Sequence, residues 1–439
     1  MIKTILKSIL FCCVLPVIAH AQTERKLNLT EALDLGLANS KNLKLAQHKI
    51  DESIARMTAV KDNALPSASA SFLYNHAEIA TNKLQIGGGN PIYLPQRADA
   101  FVGTAALQEV VYAGGKYKYA KESTKLLVEA ARLDADKNKE EISYAIINTY
   151  FSLYKLSQSK KVVAQNLESI ANQLQQAQRF FEQGIVTKND VLRFQLQQAN
   201  VTLTGMEIDN NRRIVNYNLV ILLGLPEDTE ITISEESLPL QQPQALSSYL
   251  AAALSNRQEL QQTSLNYQVS AYNIKSIKAN QLPMIGLAAN AYYINPSGNF
   301  IPSATQFIAP VTVGATVSWN IASLWNNKNK VAEAKIQQQE IAVQKEVLTD
   351  QIKTELNKNY QNYVTAVKKI DVLQASIAQA TENDRLLASK YKNNIASVTE
   401  RIDAETLLYQ AKINLELAKA DARLAYYALL KSTGKISKY

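Results

Sequence analysis

The polar and apolar positions of this chain follow two periods. Through long segments the apolar residues step by three and four, which is the spacing of a coiled-coil helix. Three such stripes lie at 167–181, 192–206 and 408–429. Elsewhere apolar and polar residues alternate, most clearly over 311–321, and this period predicts strands. The chain therefore combines long helices with strands.

The predicted helices are unusually long. No glycine or proline occurs from Ala315 to Thr433, and helix interiors tolerate neither residue well. At roughly 1.5 Å per residue, even half of that stretch would form a rod on the order of 90 Å long. We therefore expect an elongated protein whose function depends on reaching across a distance.

The same unit occurs twice in the sequence. The segment 39–43 aligns with 256–260, and the segment 181–192 aligns with 391–402. Landmarks that match in the same order indicate an internal duplication. Each repeat is predicted to run helix, strand, loop, strand, very long helix, tight turn and long helix.

The duplication divides the chain into five segments. They are a signal peptide at 1–21, a first repeat at 22–225, an inter-repeat linker at 226–245 with a β-like stretch at 230–233, a second repeat at 246–434 and a C-terminal tail at 435–439. The first repeat is predicted to contain a helix at 30–64, strands at about 67–79 and 100–112, and long helices at about 116–183 and 188–223. The second is predicted to contain a helix at 246–281, strands at about 283–293 and 311–321, and long helices at about 326–392 and 398–433.

The first residues predict export. A basic start and an apolar run at 5–18 precede Ala19-His20-Ala21, which has the small-x-small pattern of a signal-peptide cleavage site. Both cysteines, Cys12 and Cys13, lie inside that run. The mature chain is therefore expected to begin near Gln22 and to contain neither disulfides nor thiolate metal sites.

Composition and motifs exclude several chemistries. The formal charge is +8, with basic residues spread among acidic ones, so no basic cluster predicts nucleic-acid binding. Beyond the signal, His48 and His76 are far apart in sequence. Gly87-Gly88-Gly89 lies between two strands and does not open a helix, unlike a phosphate-binding loop. We assign no catalytic residue, no metal ligand and no cofactor.

A membrane-embedded part of this protein would consist of strands. After the signal, no apolar run reaches the roughly 18 residues needed for a membrane helix. The alternating runs have about the 9–11 residues of a membrane β-strand. Small polar residues on one face, as in 311–321, suit a water-filled lumen. A half-buried strand in a soluble sheet has the same pattern.

This arrangement resembles the outer-membrane efflux channels of the TolC family over roughly 27–434. The resemblance rests on the duplicated order, the two strand pairs, and the turns at 184–192 and 394–403. The first turn has the family's glycine followed by a helix that begins Asp190-Val191-Leu192. In the second turn Asn394 stands in place of glycine, and Asn also tolerates left-handed conformations.

The resemblance implies a mainly α fold with membrane β-strands. A long coiled-coil α-barrel would be joined to four strands per chain, which contribute to a shared trimeric β-barrel. The strand count independently requires an oligomer, because outer-membrane barrels begin at about eight strands and an open sheet would expose unpaired backbone to lipid. The implied location is the outer membrane of a Gram-negative bacterium, with the helical part in the periplasm.

The implied function is that of a channel-tunnel for efflux or type I-like export of small molecules or proteins. Its partners would be two further copies of the chain, a periplasmic adaptor (membrane fusion) protein, an inner-membrane transporter and outer-membrane lipid. The alternative is a periplasmic or surface coiled-coil structural protein, which has no use for paired lipid-facing strands. A periplasmic adaptor itself would place β-rich domains after a single helical hairpin.

Two acidic residues are candidates for a periplasmic gate that selects among solutes. Glu400 and Asp403 match the family's gate aspartates, and a spacing of three places them on one helix face. A threefold axis would gather six carboxylates around a narrow lumen, which favours cations and should raise some carboxyl pKa values. The alternative is a solvated acidic helix face.

Four residues are candidates for contacts between helical hairpins at the same tip. By resemblance, Asp190 and Tyr391 match positions that hold neighbouring hairpins together in the closed state, and Gly184 and Asn394 lie in the two turns. The alternative for Asp190 is a local role at a helix N-terminus.

The family partner of these residues is often an arginine, and Ala396 occupies that position here. Arg401 or Lys188 would then have to replace it.

The loops at 81–98 and 294–310 are expected to face outside the cell. Aromatic residues near them would form an interfacial girdle. These residues are Tyr93, Phe101, Tyr292, Tyr293, Phe300 and Phe307.

Overall fold

A computed structural model describes residues 24–436 except 79, 81–82, 94–96, 235–240 and 296–306. The predicted signal peptide and Phe300 lie outside the described residues. The helices are α1 (Leu29–Asn39), α2 (Lys41–Asp62), α3 (Lys116–Glu182), α4 (Lys188–Leu223), α5 (Leu246–Asn256), α6 (Gln258–Ala279), α7 (Ser323–Lys392) and α8 (Val398–Ser432). The strands are β1 (Glu24–Leu27), β2 (Ser67–Glu78), β3 (Lys83–Leu84), β4 (Ile92–Tyr93), β5 (Arg97–Tyr112), β6 (Glu230–Ile233), β7 (Met284–Asn295) and β8 (Val311–Ser318).

The first helix of each repeat is divided in two. The continuous helices predicted at 30–64 and 246–281 are therefore wrong: α1 and α5 have 11 residues each, and α2 and α6 have 22 each. The chain leaves the helical conformation at Ser40 (φ −61°, ψ 116°) and at Arg257 (φ −60°, ψ 119°). The Ser40 hydroxyl accepts a hydrogen bond from the Leu43 amide at 3.2 Å, which caps α2. The aligned segments that revealed the duplication are thus the helix breaks themselves.

The last strand is shorter than predicted. It ends at Ser318, before the expected end at 321, because the chain turns at Asn320, whose carbonyl accepts from the Ser323 amide at 3.0 Å. The Trp319 indole leaves the alternation and donates to the Gln281 carbonyl at 3.1 Å. As a consequence α7 begins at Ser323 instead of near 326.

The chain forms two units. A helical unit comprises Met1–Leu43, Asn138–Asn256 and Lys353–Tyr439, and a sheet unit comprises Lys44–Lys137 and Arg257–Ile352. None of the helices among the described residues is both long enough and apolar enough to cross a membrane.

The core of the helical unit lies beneath a two-stranded sheet that the sequence did not predict as a pair. The linker strand β6 pairs in parallel with β1, and Arg25 is opposite Ile231. Leu27 and Ile231 are buried against Phe151 and Leu219 of the long helices. The linker is thereby fixed to the helical unit by backbone pairing and apolar contact.

The sheet unit contains four antiparallel strands in the order β2-β5-β7-β8. The central pair joins the two repeats, with Phe101 opposite Asn295. Strands β2 and β8 form the two edges. The loop predicted at 81–98 contains the short hairpin β3-β4.

Candidate functional site

The two helix turns of the helical unit have the same backbone conformation. Gly184 has φ +73° and Asn394 has φ +60°, so both occupy the left-handed region. In each turn the amide of the next residue donates to a carbonyl of the preceding helix at 2.8 Å. Ile185 donates to Phe180, and Ile395 donates to Lys390. Glycine adopts this conformation without strain, and asparagine tolerates it. The replacement of glycine by Asn394 therefore leaves the turn intact.

A capping box begins the helix after the first turn. The Asp190 carboxylate accepts hydrogen bonds from the Thr187 amide at 2.8 Å and from the Thr187 hydroxyl at 2.7 Å. These bonds satisfy groups that a helix N-terminus leaves unpaired. Within one chain, Asp190 thus has the local capping role that the sequence left as the alternative.

A second capping box begins α8 at the equivalent position. Glu400 Oε2 accepts from the Ser397 amide at 2.7 Å and from the Ser397 hydroxyl at 2.9 Å, and the Glu400 amide donates back to that hydroxyl at 3.2 Å. The amide and hydroxyl bonds of Ser397, with a smaller contribution from the Lys390 charge, lower the pKa of the Glu400 carboxyl. Oε1 of Glu400 is not used in the box.

Asp403 lies one turn further along α8, and both acidic side chains are exposed. Within the described part of the chain, Asp403 forms no ion pair or hydrogen bond through its side chain. The structure therefore brings the two candidate gate residues together on one exposed helix face. Glu400 takes part in the capping box, and the Asp403 side chain does not.

Tyr391 ties the end of α7 to the other hairpin by apolar contact. It is 4% exposed, and its ring centroid lies 6.1 Å from those of both Phe180 and Phe194. Among the described residues its hydroxyl has no hydrogen-bond partner. Burial raises the pKa of Tyr391, the Asp190 charge raises it further, and Arg401 opposes both. The structure thus brings Tyr391 near Asp190 without a hydrogen bond between them.

The two cations suggested as replacements for the family arginine have other positions. Arg401 is buried and pairs with Asp384 at 2.5 Å, which joins α8 to α7. Lys188 is exposed and, in the residues that the structure describes, has no ion-pair partner. Ala396 packs against the apolar cluster around Tyr391. Within one chain, neither cation pairs with Asp190.

Sequence reasoning missed several polar contacts between the hairpins. Gln173 donates to the buried Glu405 carboxylate at 2.6 Å. Nearer the turns, Arg193 donates to the Thr399 hydroxyl at 3.0 Å. The only sequence signal was a polar residue inside an otherwise apolar stripe, as at Gln173.

The apolar stripe predicted at 192–206 faces away from the hairpin core. Within one chain Leu192, Leu196, Leu203 and Met206 are 50% to 65% exposed. The buried side of α4 is instead formed by Val191, Phe194 and Val201. This helix is therefore apolar on two sides, and one chain covers only one of them.

One face of the four-stranded sheet is apolar. The register aligns Ala70, Ala105, Ala291 and Val311 in one row across the strands. The neighbouring row of the same face consists of Ala68, Leu107, Ala289 and Val313. Val313 is 83% exposed, so none of the residues that the structure describes forms a layer over the face at this position.

The opposite face is polar. One row consists of Ser69, Ala106, Asn290 and Thr312, and the next of Ser67, Gln108, Ala288 and Gly314. Hydroxyl groups bond within the face, as between Ser71 and Thr104 at 2.6 Å. The alternation predicted from the sequence thus extends across the four strands, interrupted on this face by one apolar row of Leu73, Val102 and Ile294.

Aromatic and charged residues end the apolar face on the side of the 79–96 loop. The rings of Tyr74 and Phe101 lie 4.9 Å apart, and those of Tyr293 and Phe307 stack at 4.5 Å. Beyond them His76 bonds Asp99 at 2.7 Å and Arg97 pairs with Glu78 at 3.1 Å. Tyr292 lies on the polar face, so its predicted place in the aromatic girdle is wrong.

Among the described residues, no group of three or more acidic, histidine or cysteine side chains has a geometry that could hold a metal ion.

Comparison with known sequences points to one kind of protein. The family model described as outer membrane efflux protein matches residues 32–225. A curated relative, the outer membrane efflux protein BepC of Brucella suis biovar 1 (strain 1330), is 21% identical over 346 residues, which cover 76% of this chain and 73% of BepC. The resemblance predicted from the sequence is thereby confirmed, and the predicted outer-membrane location agrees with both matches.

Solved structures show the same fold. The outer membrane protein VceC from Vibrio cholerae superimposes with a TM-score of 0.77 at 16% identity, over 93% of this chain and 96% of VceC. The CmeC outer membrane channel of Campylobacter jejuni gives a TM-score of 0.75 at 16% identity, over 92% of this chain and 85% of CmeC. The predicted fold class, mainly α with four membrane-type strands per chain, is confirmed.

Proposed function

We propose that this chain is one subunit of a homotrimeric export channel. It resembles the outer-membrane efflux proteins in sequence and shares the fold of their channels. The channel crosses the outer membrane and continues into the periplasm as a helical tunnel. It carries out efflux or type I-like export of small molecules or proteins, and it supplies no catalytic group.

The observation that carries this proposal is the two-faced sheet with open edges. Its apolar face is uncovered, and its edges β2 and β8 have no partner among the described strands. In lipid every backbone donor and acceptor needs a partner, so only a closed sheet is stable there. Four strands are too few, since closed outer-membrane sheets begin at about eight. Three copies supply twelve, and an even count lets β8 of one copy run antiparallel to β2 of the next.

The outward face of α4 supports the same assembly. Its apolar stripe at 192–206 is exposed in one chain, although burial of such side chains is worth roughly 1.5–3 kcal/mol each. A neighbouring copy offers the apolar surface that covers it. Helices and strands therefore require partners independently of each other.

The two helix turns are the proposed docking point for a periplasmic adaptor protein, which connects the channel to an inner-membrane transporter. Each turn presents an isoleucine at the equivalent position, Ile185 at 45% and Ile395 at 73% exposure. An exposed apolar side chain at the end of each hairpin suits a partner with complementary apolar pockets. Energy for export comes from that transporter.

Glu400 and Asp403 are the proposed periplasmic constriction that selects among solutes. Glu400 caps its helix through one carboxylate oxygen, so its charge and its second oxygen remain available. Replacement of both residues, Glu400→Gln with Asp403→Asn, should weaken cation preference and block by multivalent cations in planar bilayers. If both properties persist unchanged, the constriction lies elsewhere.

The tip contacts are the proposed closed-state ties between hairpins. Tyr391 acts by packing its ring against Phe194, and Asp190 acts through its charge near that ring. Gly184 and Asn394 set the turns that hold both residues in place. A double replacement of Asp190 and Tyr391 should raise the single-channel conductance of the resting channel, and an unchanged conductance would remove this assignment.

The function is tested by fractionation, mass and conductance together. We expect the mature protein in the outer-membrane fraction, a mass of three chains by light scattering in mild detergent, and discrete conductance steps in planar bilayers. A coiled-coil structural protein would instead give no conductance. A monodisperse monomer would contradict the proposed assembly.

A further inference from the structure

The charged residues of the four strands lie on one face of the sheet. In the described parts of β2, β5, β7 and β8, the charged side chains are Glu78, Arg97, Asp99 and Glu109. Glu78 is opposite Arg97, and Asp99 is opposite His76. Glu109 is opposite Leu287. All four therefore belong to the apolar face and lie toward its ends.

The polar face carries dipoles and no fixed charge in the part that the structure describes. Its polar groups are the hydroxyls of serine, threonine and Tyr292 and the amides of asparagine and glutamine. Several hydroxyls are held by the sheet: Ser67 donates to the Gln108 carbonyl at 3.3 Å, and Thr316 donates to the Gly286 carbonyl at 3.4 Å. The polar side chains of this face are therefore uncharged, and hydrogen bonds to the backbone hold several of them in place.

Fixed charge is the strongest means by which the side chains that line a pore distinguish cations from anions. Rings of acidic side chains favour cations, and rings of basic side chains favour anions, because low-dielectric walls focus the field of such groups into the lumen. Hydroxyl and amide dipoles hydrogen-bond solutes of either sign. On the apolar face, Arg97 pairs with Glu78 at 3.1 Å and His76 bonds the Asp99 carboxylate at 2.7 Å.

We propose that the sheet of this protein forms a charge-neutral, hydroxyl- and amide-lined exit that admits hydrated polar solutes irrespective of their charge. The inference rests on the proposed function, and it adds the substrate class that this end of the channel accepts. Any charge preference of the complete channel then originates outside the sheet.

The test measures block from the sheet side of channels in planar bilayers, with hexalysine and hexaglutamate as probes. All channels carry Glu400→Gln and Asp403→Asn, so that the proposed acidic constriction contributes no preference for either peptide. In this background the two peptides should block with affinities within about threefold of each other, since no ring of charge in the sheet favours either. A preference of more than about tenfold for one peptide overturns the inference, because it requires a fixed charge in the lining.

Ala106 provides matched variants on the polar face, where it lies between Ser69 and Asn290. Ala106→Asp should tighten hexalysine block and Ala106→Lys should tighten hexaglutamate block, each by about tenfold or more. Ala106→Ser, which keeps the lining neutral, should behave as the channel with Ala106. If the Asp and Lys variants block alike, this face does not line the exit.

The neighbouring Ala105 lies on the apolar face, and Ala105→Asp should lower the amount of assembled channel without changing the peptide preference of channels that form. Absence of all conductance from the wild type would refute the proposed function. Conductance with a strong peptide preference would refute only the neutral exit.

Discussion

The hydrogen bond between Gln173 and Glu405 gives a sharp test of how the two hairpins are joined. Both residues are 7% exposed, and the Gln173 side-chain nitrogen donates to the Glu405 carboxylate at 2.6 Å. The other carboxylate oxygen has no partner among the described residues. Replacement of Gln173 by methionine, which has a similar volume, removes the donor and leaves the carboxylate buried.

The expected loss follows from the burial of the pair. A hydrogen bond to a charged group contributes about 1.5–3 kcal/mol, and breaking a buried charge contact by removing one partner costs about 3–5 kcal/mol. Because methionine keeps the packing, we expect Gln173→Met to lower the local stability by about 2–3 kcal/mol. Glu405→Met in the same chain removes the orphaned charge and should restore at least about 2 kcal/mol.

Hydrogen exchange of the assembled protein in detergent measures this directly. Amides of α8 at 401–410 should exchange about 30- to 140-fold faster in Gln173→Met, because 1.4 kcal/mol corresponds to about tenfold. In the double variant they should return toward the wild-type rate. The reasoning is refuted if the single variant exchanges at the wild-type rate, or if the double variant exchanges faster than the single one.

Three further outcomes are expected. Tyr391→Phe removes a buried hydroxyl without a partner, so the melting temperature should stay the same or rise, and a clear fall would reveal a missed partner. Because the pKa of Glu400 is lowered, its capping contribution to stability is fully present above the ordinary carboxyl pKa of 4.5. This contribution is lost as the pH falls through the lowered pKa of the folded protein. Exchange at the start of α8, corrected for intrinsic rates, should therefore rise in acid, and Glu400→Gln should abolish that dependence. Burial, with a smaller effect of Tyr249, raises the pKa of Tyr363 to about 12, so stability present below pH 10 should be lost as pH rises toward 12. In tyrosinate absorbance, the part that titrates near pH 12 should decrease by one group in Tyr363→Phe.

The sequence predicted element types wherever one period persisted over many residues. The absence of glycine and proline marked the long helices, and strict alternation marked the strand faces. The breaks at Ser40 and Arg257 carried no such signal. At the first of them Asn39 donates to the Leu223 carbonyl at 2.8 Å, across 184 positions, and a contact of that range is invisible to local patterns.

The pairing of β1 with β6 escaped prediction for a similar reason. Each strand has only four residues, too few for a period to be recognised. On α4 the difficulty was different, because the helix is apolar on two sides. Periodicity identified the side at 192–206, whereas Phe194 on the other side is fully buried.

At the candidate site, the local chemistry was readable and the contacts between helices were not. Thr187 and Asp190, like Ser397 and Glu400, have the spacing of a capping box, and the structure forms both. The burial of Tyr391 between two phenylalanine rings depends on how α7 meets the other hairpin. The pairing of Arg401 with Asp384 likewise depends on helix packing, which spacing along one helix does not specify.

The central pairing of the sheet has a consequence for how the protein is made. Phe101 meets Asn295, so β5 acquires its second neighbour only after the whole first repeat and the linker have been synthesised. Contacts between such distant residues form slowly, because a long loop must close before any pairing compensates for its entropy. Until then β5 is an unprotected edge, and in the proposed trimer β2 and β8 remain edges until other copies pair with them. Such edges are templates for aggregation. A newly exported chain therefore depends on factors that shield its strands during the delay, and depletion of periplasmic chaperones should reduce its yield before it affects proteins whose strands pair with close neighbours in sequence.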